Sequence, residues 1–253
     1  MVKRILTVVG VFGLLAVAGC AAGKDGAEAQ ELLQKATEAQ EQIESMTFSM
    51  NIVGEAAGQA FTMQMSGGGY LKGEQEGDML VRASMTVPNL PAMDFQMISR
   101  QGTLYMNLDG TWQKLPGAAG QAQAEQLEQQ LAGFNFAEYV TDVSVEKGTT
   151  FLGEPVTKIV GTIDTKGLLG GVLDQLGSAA DGLMGGFTPP QEALDALGDI
   201  RAVLYVSDTT NLVQAARMDF SVDAEGETAD FEVNYALRSV NEPVEIPKPA
   251  VPA

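Results

Sequence analysis

The sequence predicts an α+β protein: a single wide antiparallel sheet with helices packed on one face. Three observations carry this expectation. After one segment of helical period, hydrophobic alternation with a period of two recurs in segment after segment almost to the C-terminus. The segments are joined by short connections, of which Asp109-Gly110 is the clearest hairpin signal. The series is broken at two places only, by a Gln/Ala/Glu-rich helix from about Gly120 to Ala132 and by a glycine-rich stretch between Lys166 and Gly198. Long runs of hairpin-linked strands beside a few helices describe a sheet covered on one side. A split into two domains near residue 117 would leave each half with an open sheet edge and a small core.

The N-terminus has the order of parts of an export signal. Lys3 and Arg4 precede an uncharged apolar run from Ile5 to Val17, which closes on Val17-Ala18-Gly19-Cys20. Small residues directly before the one cysteine resemble the lipobox that bacterial enzymes acylate and cleave. The expected organisation is therefore a lipoprotein signal peptide over 1–19, a lipid-anchored tether over 20–26, a folded body over 27–240 and a proline-rich, partly ordered tail over 241–253. Fully extended, the tether reaches roughly 20 Å, which keeps the body close to its membrane.

Within the body, a helix is expected from Ala27 to about Ser45. Leu32, Leu33, Ala36, Ala39, Ile43 and Met46 recur at helical spacing, with Glu28, Glu31, Lys35, Glu38 and Glu41 on the other faces. Strands follow where Phe48, Met50 and Ile52 alternate with polar residues, and again at Phe61–Met65, Met79–Val87, Met93–Met97, Leu104–Leu108 and Thr111–Lys114. After the first helical break come strand-like segments at Val143–Val145, Thr150–Leu152 and Val156–Ile163. Three strands close the body, at Ile200–Ser207, Leu212–Val222 and Ala229–Val240.

Composition removes several classes of function. The chain of 253 residues carries a formal charge of −18. Losing residues 1–19 would remove Lys3 and Arg4 and no acid, taking the −18 to −20. So acidic a body disfavours nucleic acid as a partner and does not hold anionic headgroups by charge, so membrane residence falls to the acyl chains on Cys20. The sequence contains no histidine and one cysteine. Histidine-based triads, histidine metal ligation and disulfides are thereby removed, and no cofactor or catalytic residue is expected. Carboxylate chemistry remains, but the acids are scattered over strand faces and turns. Asp223, Glu225 and Glu227 with Asp230 are spaced in a way that could attract calcium, yet they lie where a hairpin turn is expected between two alternating strands. Trp112 could stack on a sugar, although a tryptophan at a strand start more commonly packs on its sheet.

The most distinctive chemistry is methionine. Eight of the twelve, Met50, Met63, Met65, Met79, Met85, Met93, Met97 and Met106, fall in the apolar phase of their strands and are expected on one sheet face. Methionine is flexible and polarizable and is not a favoured strand former, so a face dominated by it suits varied apolar shapes. An ordinary core with unusual methionine usage is the alternative. The glycine-rich segment 167–186 is the candidate for a movable cover, since its glycines weaken regular helix and permit hinge-like backbone changes, and a static helical crossover filling the barrel mouth is the alternative.

The whole arrangement resembles the actinobacterial LppX/LprG-type lipoproteins, whose fold is similar to that of the LolA and LolB lipoprotein carriers. The resemblance is carried by the lipobox at 17–20, by "ATEAQEQIESMTFSM" at 36–50 and "TLYMNLDGTWQKL" at 103–115, and by "TKIVGTID" at 157–164. It continues through "AVLYVSDTTNLV" at 202–213 and "VNEPVEIPKP" at 240–249. It implies a strongly curved half-barrel sheet with helices covering its concave face, and a non-enzymatic role in binding and transferring acylated lipid or glycolipid. The apolar residues expected to line such a cavity are Met50, Met63, Met65, Met79, Met85, Met97 and Met106 from the strands, with Leu169, Leu173, Leu176, Met184 and Phe187 from the glycine-rich segment. The partners implied are a lipid ligand, a membrane reached through Cys20, and an envelope donor or acceptor protein. A lipoprotein that binds a protein or peptide on the same surface, as a sensor or assembly factor, is the competing reading.

Overall fold

The computed structural model describes residues 24–56, 59–88, 91–108, 110–114, 140–165, 167, 198–224 and 227–250. Among them are one helix, α1 (Lys24–Gln40), and eleven strands. The first six are β1 (Ser45–Ala56), β2 (Gln59–Tyr70), β3 (Met79–Thr86), β4 (Met93–Arg100), β5 (Thr103–Leu108) and β6 (Thr111–Lys114). The other five are β7 (Val140–Phe151), β8 (Glu154–Ile163), β9 (Ile200–Ser207), β10 (Val213–Ala224) and β11 (Glu227–Val240). All are antiparallel in one sheet of order β6-β5-β4-β3-β2-β1-β11-β10-β9-β8-β7, which is open at β6 and β7. Two meanders, β1–β6 and β7–β11, are thus joined where the first strand pairs with the last, from Met46↔Val240 to Glu55↔Asp230. The sheet is continuous across position 117. Of the expected set of helices covering one face, α1 is the one found among the described residues, and the segments 120–132 and 168–187 lie outside them.

Helix α1 buries one narrow stripe. Ala29, Leu33 and Ala36 are at most 2% exposed and pack with Ile159, Ile163, Ala202, Leu204, Val206 and Met218. The two alanines let the helix approach the sheet closely, while Leu33 supplies roughly 1.5–3 kcal/mol by burial. On the opposite side Lys35 bonds Glu31 at 2.6 Å and holds that carboxyl below the usual carboxylate range. Glu28 pairs with Lys147 and ties the helix to β7.

The helix ends at Gln40, earlier than the periodicity suggests. The amides of Gln42 and Ile43 donate to the carbonyls three residues back, of Ala39 and Gln40, which closes a tight turn. Ile43 and Met46, apolar at helical spacing, enter a second cluster instead, with Phe48, Met79 and Val81. The corner is fixed from the far end of the chain. The Glu44 amide donates to Asn241 Oδ1 at 2.7 Å and the Asn241 amide to the Ser45 carbonyl at 2.8 Å.

Two segments read separately from the sequence, at 143–145 and 150–152, are one strand, β7. Its pairing with β8 shifts register twice, between Thr141 and Ser144 and between Glu146 and Thr149, with Asp142 and Gly148 at positive φ. These bulges break the alternation that a sequence pattern relies on. The β7–β8 turn places Leu152 at φ 51 and Gly153 at φ 88, the paired left-handed geometry of a tight hairpin, although leucine rarely signals one. Between β10 and β11, Ala224 pairs with Glu227, so the acids at 223 and 227 flank a hairpin turn.

The proline-rich tail is ordered through residue 250 and crosses the sheet side opposite α1. Ser45 Oγ donates to the Glu242 carbonyl at 2.6 Å. Tyr70 Oη donates to the Val244 carbonyl and accepts from its amide, at 3.1 and 3.0 Å. Arg100 then donates to the Ile246 carbonyl at 3.1 Å. A Cβ on Gly68 would meet Val244 Cγ1 at 3.1 Å, which shows how closely the tail lies on β2. Leu80 and Ile98 point to this side and are 4% and 0% exposed, so the tail end of the outer face carries a core of its own.

Candidate functional site

Pairing registers place the eight methionines from Met50 to Met106, and Met46 with them, on the face that α1 packs against. Three cross-strand rows follow. Phe48, Gly67, Val81, Met97 and Met106 lie opposite one another in sequence, as do Met50, Met65, Ala83, Phe95 and Leu108. Ile52, Met63, Met85 and Met93 form the third. Methionines thus stand opposite methionines, at Met50–Met65, Met63–Met85–Met93 and Met97–Met106, while glycine, alanine, valine, leucine and phenylalanine fill the rest of the first two rows.

The face is not uniform. Over β8–β11 it is closed by α1, and Met50 and Ile52 are the partly buried margin of that core. At the end near Met46 it is closed by Ile43, Phe48, Met79 and Val81, with Met65 and Met97 partly buried against them. Met79 is 1% exposed and therefore packed on every side, unlike the open cavity position expected for it. Met63, Met85, Phe95, Met97 and Met106 are only half-buried, and Met93 is 47% exposed. No helix among the described residues covers this part of β2–β5. Leu169, Leu173, Leu176, Met184 and Phe187, together with Cys20, lie outside the described residues.

An aromatic row that sequence reading did not single out borders the open part. Phe61 and Phe231 meet edge to face at 5.8 Å, and Phe231 stacks on Phe220 at 5.0 Å with an interplanar angle of 9°. Phe61 and Phe231 both pair with Gly54, where an added Cβ would lie 2.4 Å from the Phe61 ring. The glycine lets two rings from flanking strands close over the middle one. Each phenylalanine stands in the apolar phase of its own strand, but only the β1–β11 pairing makes them neighbours. At this level a cavity of about 500 Å³ is bordered by Gly54, Phe220 and Phe231 and by the acidic residues Glu55, Asp199, Asp219, Asp230 and Glu232, those of β1, β10 and β11 pointing to the side of the sheet away from the methionines. Arg217 pairs with Asp219 at 3.0 Å and Glu232 at 2.7 Å, and its pKa is raised chiefly by its hydrogen bond to Asp219.

Met63, Met85, Met93, Phe95, Met97 and Met106 carry no ionisable group. Tyr235, stacked on Phe48 at 6.3 Å, has its pKa pushed up to about 12 by burial, so its phenol stays neutral at physiological pH. Among the described residues no group of three or more His, Cys, Asp or Glu could hold a metal ion. Nor is any helix there long and apolar enough to cross a membrane. What this surface offers a ligand is apolar area with adaptable side chains, bounded by aromatic rings.

The model of a family of unknown function, DUF6612, matches residues 28–152. That span runs from α1 to the β7–β8 turn. No curated protein matches the chain. Among solved structures it is similar to the lipoprotein LppX of Mycobacterium tuberculosis, at 14% identity and a TM-score of 0.45, over 86% of this chain and 97% of that one. It is also similar to LprF of Mycobacterium bovis, at 18% identity and a TM-score of 0.44, over 90% and 100% of the two chains. A third similarity is to the MucA/MucB complex of Pseudomonas aeruginosa, at 15% identity and a TM-score of 0.32, over 82% of this chain and 57% of that one. Lipoproteins of the kind that the sequence resembles are thus among the structures this chain is similar to.

Proposed function

We propose that this protein is an envelope lipoprotein, anchored outside the cytoplasm through acylated Cys20, that binds an acylated lipid or glycolipid against its methionine face and carries or transfers it. The observation that carries this reading is the half-exposed apolar surface of Met63, Met85, Met93, Phe95, Met97 and Met106, left uncovered by α1. A contiguous apolar surface of this kind marks an interaction site more often than a packing accident.

The physical need is simple. A lipid with two acyl chains has roughly 30 methylenes, and exposing them to water costs roughly 24 kcal/mol at about 0.8 kcal/mol each. A protein carries such a molecule only by shielding the chains. In this reading the open sheet curves as a half-barrel around them, thioethers adapt to chains of different length, and the Phe61–Phe231–Phe220 row packs against the chain ends or the first polar atoms. In this reading the face binds, and its role is not catalytic.

Organic extraction of the purified full chain, followed by lipid mass spectrometry, tests this. A carrier yields near-stoichiometric acylated lipid, and Met85→Asp lowers that yield. Lipid-free wild-type protein isolated from its own membranes would refute the reading and leave a protein or peptide as the ligand of this face.

A further inference from the structure

The side of the sheet away from the methionine face holds a cavity of about 620 Å³. Arg100, Lys114 and Lys248 line it, with Gln101, Thr103 and Tyr105 between them. In a chain with 15 basic and 33 acidic residues, three cations in one cavity with no carboxylate among the described residues of its wall is an unusual distribution. Lys35, Lys147, Lys158 and Arg217 each sit against a Glu or Asp partner; the three cavity cations, like Arg82 and Arg201, form no ion pair among the described residues, but they alone share one cavity.

Three separate pieces of backbone bring these charges together. Arg100 ends β4 opposite Thr103, across a turn in which Gln101 and Gly102 have φ of 49 and 73. That turn is pinned by Asp78, 7% exposed, whose Oδ1 accepts the Gln101 amide at 2.7 Å. Lys114 ends β6 and pairs with Tyr105, which puts the two side chains on the same side. Lys248 arrives on the tail, held by the Arg100 bond to the Ile246 carbonyl. Pro247 and Pro249 flank it and restrict the backbone on both sides, so its Cα is held at the cavity before any ligand arrives. Arg100 commits one N–H to Ile246 and keeps the rest of its guanidinium for the cavity.

Confining like charges without a counter-charge is unfavourable, and the arrangement becomes favourable once an anion joins it. We propose that this cavity binds a phosphate-bearing ligand, with the phosphate held by Arg100, Lys114 and Lys248 and a glycerol- or sugar-sized substituent beside Tyr105 and Thr103. Such a phosphate belongs either to a phospholipid headgroup at the anchoring membrane or to a soluble phosphate ester. The site is independent of whatever occupies the opposite face.

Titration calorimetry on the full chain in neutral detergent tests it with three probes: inorganic phosphate, glycerol phosphate, and dihexanoyl phosphatidylglycerol below its micelle concentration. The key variant is Lys114→Gln/Lys248→Gln, because both side chains are exposed and their loss leaves the fold intact, whereas Arg100 also holds the tail. Saturable binding that weakens roughly tenfold or more in the double variant, and is unchanged in Arg217→Gln, supports the site. Binding shared by all three probes identifies a soluble phosphate source, and binding confined to the phosphatidylglycerol identifies the headgroup. Failure of all three to bind, or equal binding by the double variant, overturns the proposal.

Discussion

Shortening two methionines of the same sheet face, one at a time, separates packed core from open surface. Met79 is 1% exposed and enclosed by Ile43, Met46, Phe48 and Val81, so Met79→Ala removes buried atoms and leaves a void that rigid neighbours cannot fill. Such a change costs about 3 kcal/mol, a large part of a total stability on the order of 5–15 kcal/mol. In a chain of this size each kcal/mol lowers Tm by about 2–4 °C, so Met79→Ala should melt roughly 6–12 °C below wild type. Met85 pairs with Met63 and Met93 on the half-exposed part, where solvent or ligand occupies the space that truncation frees. Met85→Ala should cost under about 1 kcal/mol and shift Tm by less than about 4 °C. Delipidated protein is the proper sample, since bound ligand stabilises the fold by mass action. Circular dichroism melts provide the first readout and lipid per protein the second, with Met85→Asp folded but depleted of lipid. Equal Tm losses for Met79→Ala and Met85→Ala would refute the division of the face into core and open surface.

Three further outcomes are expected. A Cβ on Gly67 would lie 2.5 Å from the Leu80 carbonyl oxygen and 3.1 Å from the Phe48 ring, so Gly67→Ala should destabilise the domain by about 1–3 kcal/mol in urea unfolding, and an unchanged midpoint would show that the β2–β3 spacing is softer than it looks. Tyr235 has a folded pKa of about 12 against an ordinary 10.0, so its contribution is fully present below pH 10 and is lost as pH rises through 12; Tyr235→Phe should abolish that part of the alkaline instability and the last phenolate absorbance step. Cys20→Ala should eliminate incorporation of radiolabelled fatty acid, and equal label in wild type and variant would remove the lipoprotein assignment.

What was legible in the sequence was local. A period of two marks a strand with one buried face, whichever strands lie beside it, and β3, β5, β6 and β9 fall within a residue or two of their expected limits. The same alternation put Met50, Met63, Met65, Met85, Met93, Met97 and Met106 in one phase, and pairing placed them on one face. Where local pattern competed with distant partners, it misled. Ile43 and Met46 continue the helical stripe of α1 but are taken into a cluster with β2 and β3, while Asn241, 197 residues from Glu44, bonds the corner that ends the helix. Bulges at Asp142 and Gly148 split one strand into two apparent segments, and the tail's carbonyls are ordered by Ser45, Tyr70 and Arg100, none of them near it in sequence.

Both candidate sites divide in the same way. The sequence alone determined that a methionine-rich apolar face exists, because side-chain phase within a strand is fixed by the pleat. Only the tertiary structure decided which part of it is core and which is open, because that depends on where α1, Ile43 and Phe48 come to rest. Likewise Phe61 and Phe231 become an aromatic contact, and Arg100, Lys114 and Lys248 become one cavity, only through pairing and tail docking between segments far apart in the chain. Nothing in the immediate neighbourhood of any of these residues records such proximity; it is set by sheet order, and sheet order is a property of the whole fold.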